Sequence, residues 1–334
     1  MPRKSKKPES AVFSLLERAF GTTPIIYGTG GPNPEQLFGA QIAGDVLPLL
    51  GEHLERIGKV RSIGLVLHTK GGALDAPWPI VNMIRSHCEE FSVLVPEMAL
   101  SGGTLIAMGA DRVFMLPNAF LSPVDPTHNY KENNADRSVS IEDVLGYVDF
   151  VTERIGIRDQ VALVEALKEL TKHVTPTILG NIHRTRSLIE RISRSMLRLH
   201  LRALSDEARV NQVVNYLTHD LYAHNHLIPV TEAREVIGFG DLIPKLTAGQ
   251  LKALRTARAY IKDELRYRDT IDPRKELQKA KKDSKDSVEV SITRAMLVSS
   301  RLRHLFIAKR RFFRDDPKSE QVKMQPISDS WERV

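Results

Sequence analysis

The apolar positions of the chain gather into short continuous runs broken by glycine turns, with stretches of helical spacing between them. Ser10 to Phe20 reads as a short capped helix, Pro24-Ile25-Ile26-Tyr27 as a short strand, and Ile42 to Ile57 as a second helix. Ser62-Ile63-Gly64-Leu65-Val66-Leu67-His68 is almost wholly apolar, the pattern of a parallel strand buried on both faces. It ends at Thr69-Lys70-Gly71-Gly72. Ala76 to Cys88 then predicts a helix, Phe91 to Pro96 a strand, Ser101-Gly102-Gly103 a turn, Thr104 to Ala110 a helix and Arg112 to Met115 a further strand. Strand, glycine turn and helix thus recur twice, which predicts an α/β sheet with right-handed crossovers and ligand chemistry at the carboxyl ends of the strands. Both diglycine corners fall at those ends and can meet in space.

Downstream, Thr177 to Leu204 places Ile178, Ile182, Ile189, Ile192, Met196 and Leu199 on one helical stripe. Glu232 to Gly238 reads as a short helix and Leu246 to Tyr267 as another. Asp269 to Ser287 is dense in charge and reads as a linker or a solvated helix end. Ile292 to Phe313 returns to helical spacing, a second stripe that docks on a partner subunit or, alternatively, meets a membrane surface. The expected organisation is an N-terminal segment (1–20), a main domain (21–245) and a helical, basic C-terminal extension (246–334).

Composition narrows the classes. A chain of 334 residues with 42% apolar and 27% charged positions is that of a soluble globular protein. Its single cysteine, Cys88, excludes an intramolecular disulfide and any multi-cysteine zinc motif, and fits a reducing compartment. No apolar run approaches the ~20 residues of a membrane span, and the basic Met1 to Lys7 leads into Pro8-Glu9-Ser10 rather than a signal core. A cytoplasmic protein without an integral membrane segment is expected. Of the net charge of +7, most lies beyond Asp269, where 16 Lys and Arg face 11 Asp and Glu. With no zinc-finger or RNA-recognition signature, nucleic acid is not an expected partner. The Gly28-Thr29-Gly30-Gly31-Pro32-Asn33-Pro34 loop lacks the Gly-Lys-Ser/Thr ending of a phosphate loop and reads as a turn.

Ser101 carries the candidate chemistry. A serine where a strand gives way to a helix lies beside unpaired backbone N–H groups, the helix dipole there favours negative charge, and Gly102 and Gly103 let a carbonyl approach the main chain. That is the chemistry of acyl transfer. The plainer alternative makes Ser101 a helix cap and Gly71-Gly72 a tight turn. Ser122 is a poorer nucleophile, because Pro123 removes a backbone donor beside it.

Leu65-Val66-Leu67-His68-Thr69-Lys70-Gly71-Gly72, Ala99-Leu100-Ser101-Gly102-Gly103-Thr104 with Ala110-Asp111, and Leu121-Ser122-Pro123-Val124-Asp125-Pro126 resemble, as an ordered set, the serine dehydrogenase proteinase family. This family lies within the Clp protease/crotonase-like superfamily and is related to signal peptide peptidase A. The resemblance covers roughly residues 20 to 245. It implies a spiral of β-β-α units, here followed by additional C-terminal helices, a homo-oligomer, no cofactor, and a serine peptidase acting on peptides or unfolded proteins. Ser101 matches its nucleophile. Gly102, with Gly71 or Gly72, would supply oxyanion donors, and Gly103 belongs to the same substrate-facing corner.

The general base stays open. Clp proteases use a downstream histidine and aspartate, signal peptide peptidase A a downstream lysine. His128 lies 27 residues after Ser101, in a polar segment that reads as an exposed loop. Lys131 is the only lysine between Ser101 and Lys168. Asp125 would orient a histidine or shape a rigid turn between its two prolines. His224 or Asn225 falls where Clp proteases hold the triad acid, beside His219-Asp220, and an asparagine can orient an imidazole. His224 and His226 alone would offer zinc two ligands, and no metal is expected. The rival readings are a crotonase-type acyl-thioester enzyme and a catalytically inactive Clp-like assembly or scaffold protein.

Overall fold

Helix α1 (Glu9–Phe20) buries Val12, Phe13 and Leu16, the face its spacing predicts, and turns at Gly21 into β1 (Thr23–Thr29). The structure is a computed structural model and describes residues 9–34, 39–124, 127–132, 135–201, 203–220, 226–235, 238–281, 287–314 and 321–334. After α2 (Val46–Ile57), strand β2 (Val60–His68), helix α3 (Pro77–Arg85), strand β3 (Cys88–Val95), helix α4 (Gly102–Met108) and strand β4 (Arg112–Met115) realise the two strand–turn–helix units. Strands β1 to β4 are parallel, and their register sets Ile25, Leu65, Val93 and Val113 in one row across the sheet. All four are buried, as expected of strands covered on both faces.

Past β4 the chain returns beside the strand ends. Strand β5 (Phe120–Leu121) is bound through Phe120 N–H to the Glu97 carbonyl (2.9 Å), and its own carbonyl accepts from Ala99 N–H (3.0 Å). A β-hairpin follows, β6 (Thr127–Glu132) and β7 (Ala135–Ser140), with His128 opposite Val139 and Lys131 opposite Asp136. The segment expected to be an exposed loop is therefore paired strand. Helices α5 (Ile141–Asp149), α6 (Gln160–Thr171), α7 (Pro176–Leu197) and α8 (Glu207–Asn215) come next. Helix α7 buries Ile178, Ile182, Ile189 and Met196 of the predicted stripe, leaves Ile192 half-buried, and ends before Leu199. Strand β8 (Ile228–Pro229) pairs with β5, and α9 (Val230–Glu235) with α10 (Ala248–Glu264) closes the helical part of this layer.

The C-terminal region corrects the expectation of helix over Ile292 to Phe313. Helix α11 (Pro273–Lys281) occupies part of the charge-dense segment, but β9 (Ser287–Ser299), β10 (Arg303–Phe313) and β11 (Lys323–Arg333) then form antiparallel strands. Strand β9 pairs antiparallel with β1, so one seven-stranded sheet runs in the order β11-β10-β9-β1-β2-β3-β4. Val288, Val290 and Ile292 alternate with polar residues, which is strand periodicity lying mostly upstream of the window that looked helical. The basic residues here are partly taken up by pairing. Buried Arg310 bonds Asp329 of β11, with Arg310 Nη2 to Oδ2 at 2.9 Å, and Arg303 bridges Glu9 of α1 and Glu264 of α10. Among the described residues no helix is long and apolar enough to cross a membrane.

Candidate active site

Ser101 stands at the entrance to α4 with φ 49° and ψ −112°, a region that L-residues other than glycine rarely occupy. Such a conformation costs about 1–3 kcal/mol and persists only where its surroundings impose it. Its side chain makes no capping bond to the helix. The reading of Ser101 as an ordinary helix cap therefore lacks its defining contact. The residue is partly exposed, whereas all of α4 behind it, from Gly102 to Met108, is buried.

The two diglycine corners do meet. A Cβ built on Gly71 would lie 2.7 Å from Ser101 Cβ and 3.3 Å from Ser101 Oγ, and one on Gly102 would lie 3.7 Å from Gly72 N. Gly71 has φ 102° and Gly72 φ 153°, and a Cβ on Gly72 would meet Ile42 O at 2.1 Å. Glycine is thus required there by backbone conformation and by the closeness of the neighbouring chain. Ile42 N–H donates to Gly71 O (2.7 Å) and Ala73 N–H to Ile42 O (2.9 Å), which pins the corner.

The hydrogen bonds separate the four glycine amides into two kinds. Gly71 N–H donates to Thr69 Oγ1 (3.0 Å) and Gly103 N–H to Leu100 O (2.8 Å). Neither Gly72 N–H nor Gly102 N–H has a partner among the described residues. Gly102 is the first residue of α4, where a helix leaves its amides unpaired. Gly103 serves instead for packing, since a Cβ there would meet Thr69 Cγ2 at 2.6 Å.

Thr69 and Ser122 are contributions that sequence reasoning missed or set aside. Thr69 Oγ1 lies 2.8 Å from Thr29 Oγ1 and so ties the first corner to β1. Ser122, buried, accepts from Ser101 N–H at 2.8 Å through its Oγ. Its rejection as a nucleophile agrees with that burial. The Thr69 signal was present in the motif itself, whereas nothing in the sequence couples Ser122 to a residue 21 positions away.

His68, beside the corner, is buried and faces away from it. Leu67 and Thr69 approach Gly103, while the His68 ring packs edge-on against Tyr267 at 5.1 Å between centroids. Burial lowers its pKa to about 4; Glu97, with Oε2 3.8 Å from Nδ1, pulls the other way, and Lys262 and Lys70 add to the lowering.

The base candidates stand as follows. His128 and Lys131 are on β6, and their side chains lie outside the described part of the molecule. Asp125, His224 and Asn225 lie outside the described residues. The backbone of His219 and Asp220 forms a wide helical turn after α8. His226 Nε2 lies 2.7 Å from Glu232 Oε1, which also accepts from the Tyr216 hydroxyl (2.8 Å), so a carboxylate occupies this histidine. Among the described residues no three His, Cys, Asp or Glu side chains converge as metal ligands.

An uncharacterized protein of Methanocaldococcus jannaschii, MJ0137, is 47% identical over 68 residues, 20% of this chain and 24% of that protein. A second from the same organism, MJ1495, is 24% identical over 174 residues, 52% of this chain and 50% of that protein. The chain thus spans half the length or less of these curated relatives. Among solved structures, ClpP1 from Listeria monocytogenes aligns at 17% identity with a TM-score of 0.35, over 63% of this chain and 90% of that one. The architecture is a mixed α/β one, with helices and three further strands on the C-terminal side of the parallel strands. Residues 54–141, which carry both diglycine corners, Ser101, Ser122 and His128, match the family described as the ClpP-like SDH-type serine proteinases, the family that the sequence motifs resemble.

Proposed function

We propose that the chain is a self-assembling serine peptidase in which Ser101 Oγ attacks the scissile carbonyl and the N–H groups of Gly72 and Gly102 receive the oxyanion. The observation that carries this reading is a strained, partly exposed serine at a corner where two amides without a partner among the described residues come close together. A nucleophile on a sharp strand-to-helix turn has its hydroxyl pushed clear of the backbone, and strain of this kind concentrates at reactive sites. The pairing of Gly71 N–H with Thr69 leaves Gly72 as the donor from the first corner. Each such donor is worth about 2.7–4 kcal/mol in the transition state.

In the reaction, the Ser101 hydroxyl proton passes to a base as the Oγ–carbonyl bond forms. The base returns it to the amine as the C–N bond breaks, and water then releases the acyl group from Ser101 by the same route. We assign the base to His128, with Lys131 as the alternative; Asp125, His224 and Asn225 are the candidates for orienting it. Strand β5 supports this order, because it brings Ser122 against Ser101 six residues before His128. Self-assembly is supported by α6, which buries none of its residues and leaves Val161, Val164 and Leu167 exposed in a row.

A fluorophosphonate probe tests the assignment. The wild type should be labelled, Ser101→Ala should not, and His128→Ala should be labelled far more slowly than Lys131→Ala. Turnover of coenzyme A thioesters without labelling would instead favour an acyl-thioester enzyme, and an intact oligomer showing neither activity would favour a scaffold protein.

A further inference from the structure

Ser101 N–H is satisfied by a side chain from a different segment, whereas Leu100 N–H and Gly103 N–H donate to backbone carbonyls. Ser122 Oγ accepts it at 2.8 Å. The Ser122 hydroxyl proton is committed elsewhere, to Pro123 O at 2.9 Å, so its lone pairs are left to face Ser101 N–H. A backbone N–H only donates and a carbonyl oxygen only accepts, which makes the direction of both contacts unambiguous.

Ser122 is itself latched to the helix it serves. Ser122 N–H donates to Thr104 Oγ1 at 3.1 Å, and the Thr104 hydroxyl lies 2.9 Å from Ala99 O and 3.0 Å from Ser122 O, either of which receives its proton. Thr104 is in the first turn of α4, three residues after Ser101, and is fully buried. Val124 N–H donates to Leu217 O (3.0 Å), anchoring the far side of the segment. Ser122 can therefore shift relative to Ser101 only if several buried bonds break together.

We propose that Ser122 is a positioning residue for Ser101: its buried Oγ captures Ser101 N–H and thereby holds the serine in its left-handed conformation, with the hydroxyl presented at the corner. The proposal rests on the reading of Ser101 as nucleophile for its catalytic consequence, but not for the hydrogen bond or the conformation. Without the acceptor, Ser101 N–H would lose its partner at a part-buried position, and the peptide between Leu100 and Ser101 would rotate to find another. That rotation would carry Ser101 away from φ 49° and displace Oγ from Gly72 and Gly102. Ser122 need not touch substrate to act in this way. The bond joins the two segments that the family motifs keep separate, the serine corner and the Ser122-Pro123 turn.

The test compares Ser122→Ala, which removes the acceptor, with Ser122→Thr, which restores a hydroxyl. Fluorophosphonate labelling of Ser101 should slow about ten- to a hundred-fold in Ser122→Ala, the cost of a misplaced reacting atom, and recover in Ser122→Thr. For peptide hydrolysis kcat should fall with KM little changed. Amide hydrogen exchange at Ser101, slow in the wild type, should accelerate in Ser122→Ala, and a crystal structure of that variant should show Ser101 out of the positive-φ region. Wild-type labelling rates in Ser122→Ala with Ser101 still at positive φ would overturn the proposal. If the wild type is never labelled, the peptidase reading fails by itself, and exchange at Ser101 still decides the positioning role. If Ser122→Ala does not fold, a Ser101 amide that exchanges in the wild type as freely as an open one overturns it equally.

Discussion

Gly71 lies against Ser101 so closely that a methyl group on the first would stand 2.7 Å from Cβ of the second. The two corners come from different strand ends, and the first has no room for a side chain larger than hydrogen where it meets Ser101. Gly71→Ala is expected to lose labelling and hydrolysis, because its Cβ would press on Ser101 Cβ and on Leu100 O at 2.9 Å and so displace the serine. Gly72→Ala meets backbone more closely still. Its Cβ would meet Ile42 O at 2.1 Å and Ile42 N at 2.5 Å, both backbone, in a conformation that disfavours any side chain. A loss of about 2–4 kcal/mol is expected from strain and overpacking together. Urea unfolding of the two variants, read beside their labelling rates, separates the effects; equal midpoints for Gly72→Ala and wild type would contradict the geometry.

The strain at Ser101 predicts a trade between stability and reactivity. Ser101→Gly relieves about 1–3 kcal/mol of backbone strain and gives back about 0.5–1 kcal/mol through the freer unfolded chain, a net gain near 1 kcal/mol. Ser101→Ala keeps the strain and should leave stability close to that of the wild type. A higher unfolding midpoint for the glycine variant than for the alanine variant, with neither active, is the expected pattern. A glycine variant less stable than the alanine one would show that the corner is not strained in solution.

The parts of this molecule legible in sequence are those decided locally. Strands β2, β3 and β4 were readable because burial on both faces leaves continuous apolar runs, and glycine turns mark where each run stops. Ser101 was readable from its place between strand and helix. Strands β9 and β10 were not, because Arg294, Arg303 and Arg310 interrupt their apolar pattern. The pairings that accommodate those arginines, with Asp329, Glu264 and Glu9, come from distant parts of the chain. The Ser122–Ser101 bond was hidden for the same reason: a side chain meeting a distant backbone amide leaves no periodicity. The positive φ of Ser101 was only hinted at by the neighbouring glycines.

Helix α6 makes self-assembly testable without touching the site. Val161, Val164 and Leu167 are 70%, 50% and 49% exposed, and no residue of the helix is buried. Substituting exposed positions in a monomer changes stability by about 0.5 kcal/mol or less. Val161→Asp combined with Leu167→Asp should therefore leave the urea midpoint nearly unchanged while reducing the mass seen by light scattering. An unchanged mass in an oligomeric protein would remove this face as the contact.

The buried histidines predict a loss of stability in mild acid. His53 of α2 is fully buried, with Nδ1 2.8 Å from Ser299 Oγ and Nε2 3.0 Å from His304 Nδ1. Burial lowers its pKa to about 4, with His304 and Arg56 adding to the effect, and His304 is lowered too, chiefly by burial, against the pull of Glu52. His68 is likewise lowered to about 4 by burial, against the pull of Glu97. A histidine whose folded pKa is depressed binds its proton more readily in the unfolded chain. Its contribution is therefore complete above the unfolded value near 6.5 and is lost as pH falls through the folded value near 4. Each such group steepens the decline by up to about 1.4 kcal/mol per pH unit across that window. Both ring nitrogens of His68 lack a hydrogen-bond partner among the described residues. His68→Phe should therefore fold without breaking a hydrogen bond, keep the edge-on contact with Tyr267, and remove one histidine's share of the slope between pH 6.5 and 4. Urea titrations at half-unit pH steps measure both slopes, and parallel curves for the variant and the wild type would mean that His68 takes up its proton as easily in the folded protein as in the unfolded one.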